Sequence, residues 1–176
     1  MKILVTLFLF LIINDGSIAG EYEENRKKCL LENFSEKDND RSTEIIGGAC
    51  NYISRDNPSE FQKKRTSCIF KNINKAADEN YEAAEAVARA CKFISGDNPS
   101  KYNIFYSECI LENIEKASKK NTRAAKLIGW SCTQYAKKKE GVLKDEWTIN
   151  KYKCILKNIS KAKSDSSADK IGDICS

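Results

Sequence analysis

Cys109-Ile110-Leu111-Glu112-Asn113-Ile114-Glu115-Lys116 is one of four copies of a single pattern. The others are Cys29-Leu30-Leu31-Glu32-Asn33-Phe34-Ser35-Glu36, Cys68-Ile69-Phe70-Lys71-Asn72-Ile73-Asn74-Lys75 and Cys154-Ile155-Leu156-Lys157-Asn158-Ile159-Ser160-Lys161. Cysteine, two apolar residues, a charge, asparagine and a further apolar residue recur in that order. Each copy is followed 21 or 23 residues later by a second cysteine, Cys50, Cys91, Cys132 or Cys175, which accounts for all eight. On a helical wheel the asparagine at +4 falls inside the wide arc spanned by the cysteine and the apolar residues at +1, +5 and +2. An arc that wide belongs to a helix with neighbours on two sides, as in stacked helical hairpins.

Working outward, each repeat reads as two helices joined by a polar turn. In the second, the pattern predicts helices over Phe61–Ala77 and Tyr81–Ile94, with Asp78-Glu79-Asn80 between them. The midpoints between paired cysteines fall at Asn39-Asp40, Glu79-Asn80, Lys120-Asn121 and Ser164-Asp165, all polar. Two antiparallel helices rise equally from a turn, so these cysteines meet at one level. Pairing Cys50 with Cys68 and Cys91 with Cys109 also puts midpoints in turns, at Ser59 and Ser100, but strands Cys29 and Cys175. The expectation is therefore Cys29–Cys50, Cys68–Cys91, Cys109–Cys132 and Cys154–Cys175. In the second helix of each repeat, the position three before the cysteine is always small: Gly47, Ala88, Gly129, Gly172. Glycine costs up to about 1 kcal/mol inside a helix, and close approach of the partner helix is the expected reason. The repeated asparagines Asn33, Asn72, Asn113 and Asn158 are expected to hydrogen-bond a neighbouring helix or connector and fix register. Asn33-Phe34-Ser35 and Asn158-Ile159-Ser160 also match a glycosylation acceptor.

The fold class is thus all-α, four tandem disulfide-linked hairpins stacked as a short α-solenoid or as a pair of helical bundles. The hairpins are expected at 26–53, 61–94, 102–136 and 147–176, within one domain over 20–176. Periods of 39, 41 and 45 residues between first cysteines suit helical repeats. Asp56-Asn57-Pro58-Ser59 and Asp97-Asn98-Pro99-Ser100 are matching stop-and-restart connectors, with serine as the N-cap. The third connector, running from Lys137 to Trp147, is longer, basic and free of proline.

Met1-Lys2, the apolar run Ile3 to Ile13, and small residues at Ser17 and Ala19 read as a secretory signal peptide over 1–19, cleaved after Ala19. That run of 11 residues is too short to span a bilayer, and no membrane span is expected. Export into an oxidising compartment makes the even set of cysteines a disulfide framework. Without histidine or a Cys-x-x-Cys pair, a metal site is not expected.

The same absence removes the usual general base. No Gly-x-Ser-x-Gly, phosphate-binding or dinucleotide glycine motif is present. Glu32 and Glu112 alternate with Lys71 and Lys157 at one repeat position, which marks a solvated helix edge. No enzyme activity, no cofactor and no nucleic-acid partner are expected. Charge is uneven: residues 21–100 carry 13 Lys+Arg against 15 Asp+Glu, and 101–176 carry 16 against 9. Lys119, Lys120, Lys137, Lys138, Lys139, Lys161 and Lys163 offer a face for an anionic partner. Tyr102, Phe105, Tyr106, Trp130, Tyr135, Trp147 and Tyr152 gather in the same half; Trp147 is the expected exposed anchor, with Lys137, Lys138 and Lys139 beside it.

A cysteine-paired, lysine- and asparagine-rich helical chain behind a signal peptide resembles the salivary effectors of sap-feeding insects, in particular aphid bicycle proteins with their cysteine–tyrosine–cysteine motifs. Cys68…Tyr81…Cys91 carries that spacing here. The Cys-x-x-x-Asn repeat also resembles short cysteine-paired helical proteins of bacteria. The resemblance implies a secreted, host-directed effector; it assigns no functional residue. The expected function is a secreted, non-catalytic binding protein acting through its surface on another protein or an acidic surface outside the cell. The alternative is a secreted carrier of a small apolar ligand or lipid held between helices.

Overall fold

The structure is a computed structural model that describes residues 15–34, 40–76, 80–117 and 121–176, with side chains described from Gly20 onward. The apolar run of the expected signal peptide, the acceptor Ser35, the turn residues Asn39, Asp78 and Glu79, and Lys119 and Lys120 lie outside the described residues. Among the described residues there are eight α-helices and no strand: α1 Asp15–Asn33, α2 Asp40–Ile53, α3 Glu60–Asn72, α4 Tyr81–Ile94, α5 Lys101–Asn113, α6 Thr122–Lys139, α7 Glu146–Asn158 and α8 Asp165–Ile174. Helix α1 begins well before residue 26, its backbone running through Ala19.

Local chemistry explains the helix ends. Ser59 caps α3 in a reciprocal box: its hydroxyl accepts from the Gln62 N–H at 3.2 Å, and Gln62 Oε1 accepts from the Ser59 N–H at 2.8 Å. Ser100 caps α5, accepting from the Asn103 N–H at 3.1 Å. Helices α3, α5 and α7 each stop at the repeated asparagine and tighten into a 3₁₀ turn, Ile73–Ala76, Ile114–Lys116 or Ile159–Lys161. At that stop the asparagine amide donates back to the carbonyl of the first cysteine, at 2.8–2.9 Å in all four copies. The repeated asparagine therefore ties off its own helix. Among the described residues its amide is seen bonded within its own helix and not to a neighbouring one, since that carbonyl lies one turn back on the same face.

Cys29–Cys50, Cys68–Cys91, Cys109–Cys132 and Cys154–Cys175 are bonded, with Cα separations of 5.5–5.7 Å. Each bond closes one hairpin. The even-numbered helices line up side by side, α2 on α4 on α6 on α8; α3, α5 and α7 each pack between the even helices before and after them, and α1 packs on α2. That pattern is a solenoid and not two separate bundles. Ile46, Val87 and Ile128, four before the second cysteine, are fully buried along the row.

Close approach does not explain the glycines. An added Cβ at Gly47 or Gly129 meets nothing within 4 Å, and at Gly172 it meets only the Leu127 side chain at 3.6 Å. The second cysteine sits at the edge of the buried arc, so the residue four before it is core and the residue three before it, about 60° to the other side, is rim. Close approach falls instead at the residue just before the cysteine. Ala49 and Ala90 are buried, and their carbonyls accept from the hydroxyls of Thr66 and Ser107 in the next hairpin at 3.4 and 2.9 Å.

Three further bonds repeat across the seams. Lys75 Nζ donates to the Leu111 carbonyl at 2.8 Å, and Lys116 Nζ to the Leu156 carbonyl at 3.0 Å. Asn80 and Asn121, buried N-caps of α4 and α6, form a ladder. Asn80 Nδ2 donates to the Asn121 carbonyl at 3.1 Å, and Asn121 Nδ2 to the Ser164 carbonyl at 3.0 Å. On the outer surface Arg41 pairs with Glu85, Glu82 with Lys126, and Arg123 with Asp169.

Candidate binding surface

The third junction departs from the other two, though not as a long basic connector. Lys137, Lys138 and Lys139 form the last turn of α6, where three cations oppose the negative end of the helix dipole. Gly141, at φ 79°, ends the helix: its N–H donates to the Lys138 carbonyl at 3.0 Å and the Val142 N–H to the Lys137 carbonyl at 2.9 Å. This is the paired 5→2 and 6→1 closure that a left-handed residue just past a helix makes possible. Glu140 accepts from the Tyr102 N–H at 2.7 Å and so ties the junction to the start of α5. Asp145 then caps α7, accepting from the Thr148 N–H at 2.7 Å; bonding by Thr148 holds its carboxyl below the usual range. The connector proper is residues 140–145, and Trp147 already lies in the first turn of α7.

Trp147 is 58% exposed. It meets Lys151 rather than the lysine run: Lys151 Nζ lies 4.9 Å from the Trp147 ring centroid and 5.8 Å from that of Trp130. One ammonium between two indoles is a cation–π arrangement. Lys139 instead lies 5.5 Å over Tyr135, whose ring meets Tyr152 edge-on at 6.4 Å.

Beside the two tryptophans lies a cleft of about 430 Å³ lined by Arg123, Lys126, Leu127 and Trp130 of α6 and Lys151 of α7. No acidic residue lines it; Asp169 and Glu82 pair with Arg123 and Lys126. The arrangement offers three cations around an apolar floor. The sequence did not single out this set; the signal that could have found four of its members is the helical spacing of 123, 126, 127 and 130. A lysine count alone does not select them, because most lysines here are solvated. Lys161 bonds Asn158 Oδ1 at 2.8 Å in the repeat pattern, and Lys163 is exposed. Glu32, Lys71, Glu112 and Lys157 are likewise exposed. Among the described residues, no group of three or more acidic or cysteine side chains is placed to hold a metal, and no helix is long and apolar enough to cross a membrane.

Residues 97–176 match the family model described as Four-cysteine protein VF_A0006-like. The matched stretch is the third and fourth hairpins, with Cys109, Cys132, Cys154 and Cys175, and it includes the whole basic-aromatic surface. No curated protein and no solved structure matches the chain.

Proposed function

We propose that the protein is a secreted, non-catalytic binding protein that takes an acidic protein partner on the outer face of its third and fourth hairpins. The observation that carries this reading is the exposed indole Trp147 stacked with Lys151 beside a cleft whose lining is basic and apolar, with Arg123 and Lys126 paired to Asp169 and Glu82 at its edge. Cations there steer an acidic partner and speed encounter, an effect that fades as salt rises. The indoles supply apolar anchoring that salt does not screen. Four disulfides accord with an oxidising compartment. Host-directed activity of the kind found in aphid bicycle proteins is the setting we propose for it.

The test is kinetic. Anion-exchange fractions from target tissue are passed over immobilised, disulfide-intact protein. Lys126→Glu with Lys151→Glu should slow association, as should Lys137, Lys138 and Lys139 changed to Glu to a smaller extent, whereas Trp147→Ala should speed dissociation. Wild-type rates in all three variants move the contact to the first two hairpins. The carrier reading needs a ligand held between helices, and native mass spectrometry of protein from its source separates the two: a co-purifying lipid supports the carrier.

A further inference from the structure

The cleft beside Trp130 has equivalents at the earlier seams. In each, the residue three before the first cysteine of one hairpin lies in a cleft with the residue two before the second cysteine of the preceding hairpin. At the third seam these are Lys151 and Trp130. At the second they are Tyr106 and Arg89, in a cleft of about 290 Å³. At the first they are Arg65 and Gly48, in a cleft of about 200 Å³ shared with Arg41, Glu44, Ile45, Tyr52 and Ile69.

In the second and third clefts the chain supplies both a cation and a ring. Lys151 lies over Trp130. Arg89 and Tyr106 line the second cleft together; burial pushes the Tyr106 phenol up while the Arg89 charge draws it back. In the first cleft the cation is present but the equivalent position carries no side chain, and the ring at its side, Tyr52, already meets Arg55. Arg65 is half-buried, and its Nε is buried without a hydrogen-bond partner. Gly48 stands where Trp130 and Arg89 stand later, and an added Cβ there meets nothing within 4 Å. The other cation of this cleft, Arg41, is already held by Glu44 and Glu85. Arg65 is therefore the cation left to be matched, above an apolar floor of Ile45 and Ile69 with Tyr52 at the side.

We infer that the cleft between the first and second hairpins is a binding site for a small aromatic carboxylate. Its ring occupies the space over Gly48 and its carboxylate meets the Arg65 guanidinium. A guanidinium matches a carboxylate with two parallel N–H donors and also stacks on aromatic faces. Size sets an upper bound. An apolar cavity of about 150 Å³ accepts benzene, so about 200 Å³ admits one ring and its acid group. It lies below the range of roughly 300–1,000 Å³ usual for larger ligands. The site is distinct from the basic-aromatic face of the last two hairpins, and its chemistry differs from that of a lipid carrier.

The experiment is an amide-resolved NMR titration of the full disulfide-bonded chain with benzoate, with benzyl alcohol and cyclohexanecarboxylate as comparators. Benzoate should give saturable shifts at the amides of Gly48, Tyr52 and Thr66. Removal of the acid group should weaken binding roughly tenfold or more, the value of a charge-assisted bond, and loss of aromaticity should weaken it by less. Arg65→Gln should abolish the response. Gly48→Trp, which gives the first cleft the indole that the third one has, should block benzoate while leaving the melting temperature at or above wild type. Absence of saturable shifts in the wild type overturns the proposal, as does equal binding by wild type and Arg65→Gln. If Arg65→Gln does not fold, undiminished benzoate binding by folded Gly48→Trp overturns it instead.

Discussion

The first two hairpins and the last two share one scaffold and differ in what they show to solvent. The second and third seams use the same bonds, a buried asparagine reaching the next turn and a lysine reaching the next helix, and a surface ion pair crosses all three seams. Yet residues 21–100 hold 13 basic against 15 acidic side chains, and 101–176 hold 16 against 9. The position facing the inter-hairpin cleft runs from glycine to arginine to tryptophan along the chain. Such a division is what a repeat scaffold permits. Each unit contacts only its neighbours, so seam residues are constrained while cleft and edge residues are free to diverge.

The largest effect that bears on this comparison is loss of a disulfide. A loop of just over twenty residues is worth about 3 kcal/mol in the chain-entropy treatment. Inner and outer hairpins should nevertheless respond differently. The second hairpin packs on both sides, so Cys68→Ala with Cys91→Ala should lower the melting temperature of the whole array. The fourth packs against the third alone within this chain, so Cys154→Ala with Cys175→Ala should fray α7 and α8 first. Calorimetry with hydrogen exchange distinguishes these outcomes. Equal loss of protection throughout the chain in both variants would mean that the four hairpins form one indivisible unit.

The asparagines offer the next sharpest contrast. Asn121 caps α6 through the Ala124 N–H at 2.8 Å and spans the seam to Ser164, while fully buried. Asn113 ties only its own helix and accepts from Lys116. Loss of a cap costs about 1 kcal/mol, and stranding the buried Ala162 carbonyl, which Asn121 Nδ2 also reaches at 3.4 Å, costs about 1–3 kcal/mol. Asn121→Ala should therefore destabilise by roughly 2–4 kcal/mol and Asn113→Ala by about 1 kcal/mol, as read from denaturant midpoints at unchanged slope. The reverse order would place the register of the array in the motif asparagine after all.

These two classes of asparagine also mark how much was legible in the sequence. Repetition exposed the hairpins, the cysteine partners and the serine caps, because each rests on spacing along one chain segment. Helix α4 starts at Tyr81 and ends at Ile94 as the pattern requires. The wheel placed the motif asparagine inward but not its partner, since an amide's choice among carbonyls depends on sub-ångström reach. Asn80 and Asn121 looked like ordinary turn residues, because a turn sequence carries no sign that its side chain crosses to the next turn. Glycine at a repeated position suggested contact, but it lies on the rim, and only the position of the buried arc relative to the cysteine decides that. The lysine run at Lys137–Lys139 read as connector because three lysines suit a loop and a helix C-terminus equally well. Gly141 was the signal that separated them.

The smallest predicted effect lies in the surface ladder, and it tests whether seams of the two halves are interchangeable. The pairs alternate in sign along the array, Arg41–Glu85, Glu82–Lys126 and Arg123–Asp169. All are at least partly solvated, so each is worth about 0.2–1 kcal/mol and is weakened by salt. Glu82 also sits in the first turn of α4, where a carboxylate favours the helix dipole by a further 0.3–1 kcal/mol or so. Glu82→Lys should therefore cost more than Lys126→Glu. The double reversal should recover the pair energy but not the dipole energy. Its stability should lie between that of Glu82→Lys and wild type, with the difference from wild type shrinking in high salt. A double-mutant cycle with no coupling would show that the Glu82–Lys126 contact adds nothing at this seam. The join between the acidic and the basic half would then rest on the Asn80–Asn121 bond, the Lys75 reach to Leu111 and the Ser107 bond to the Ala90 carbonyl.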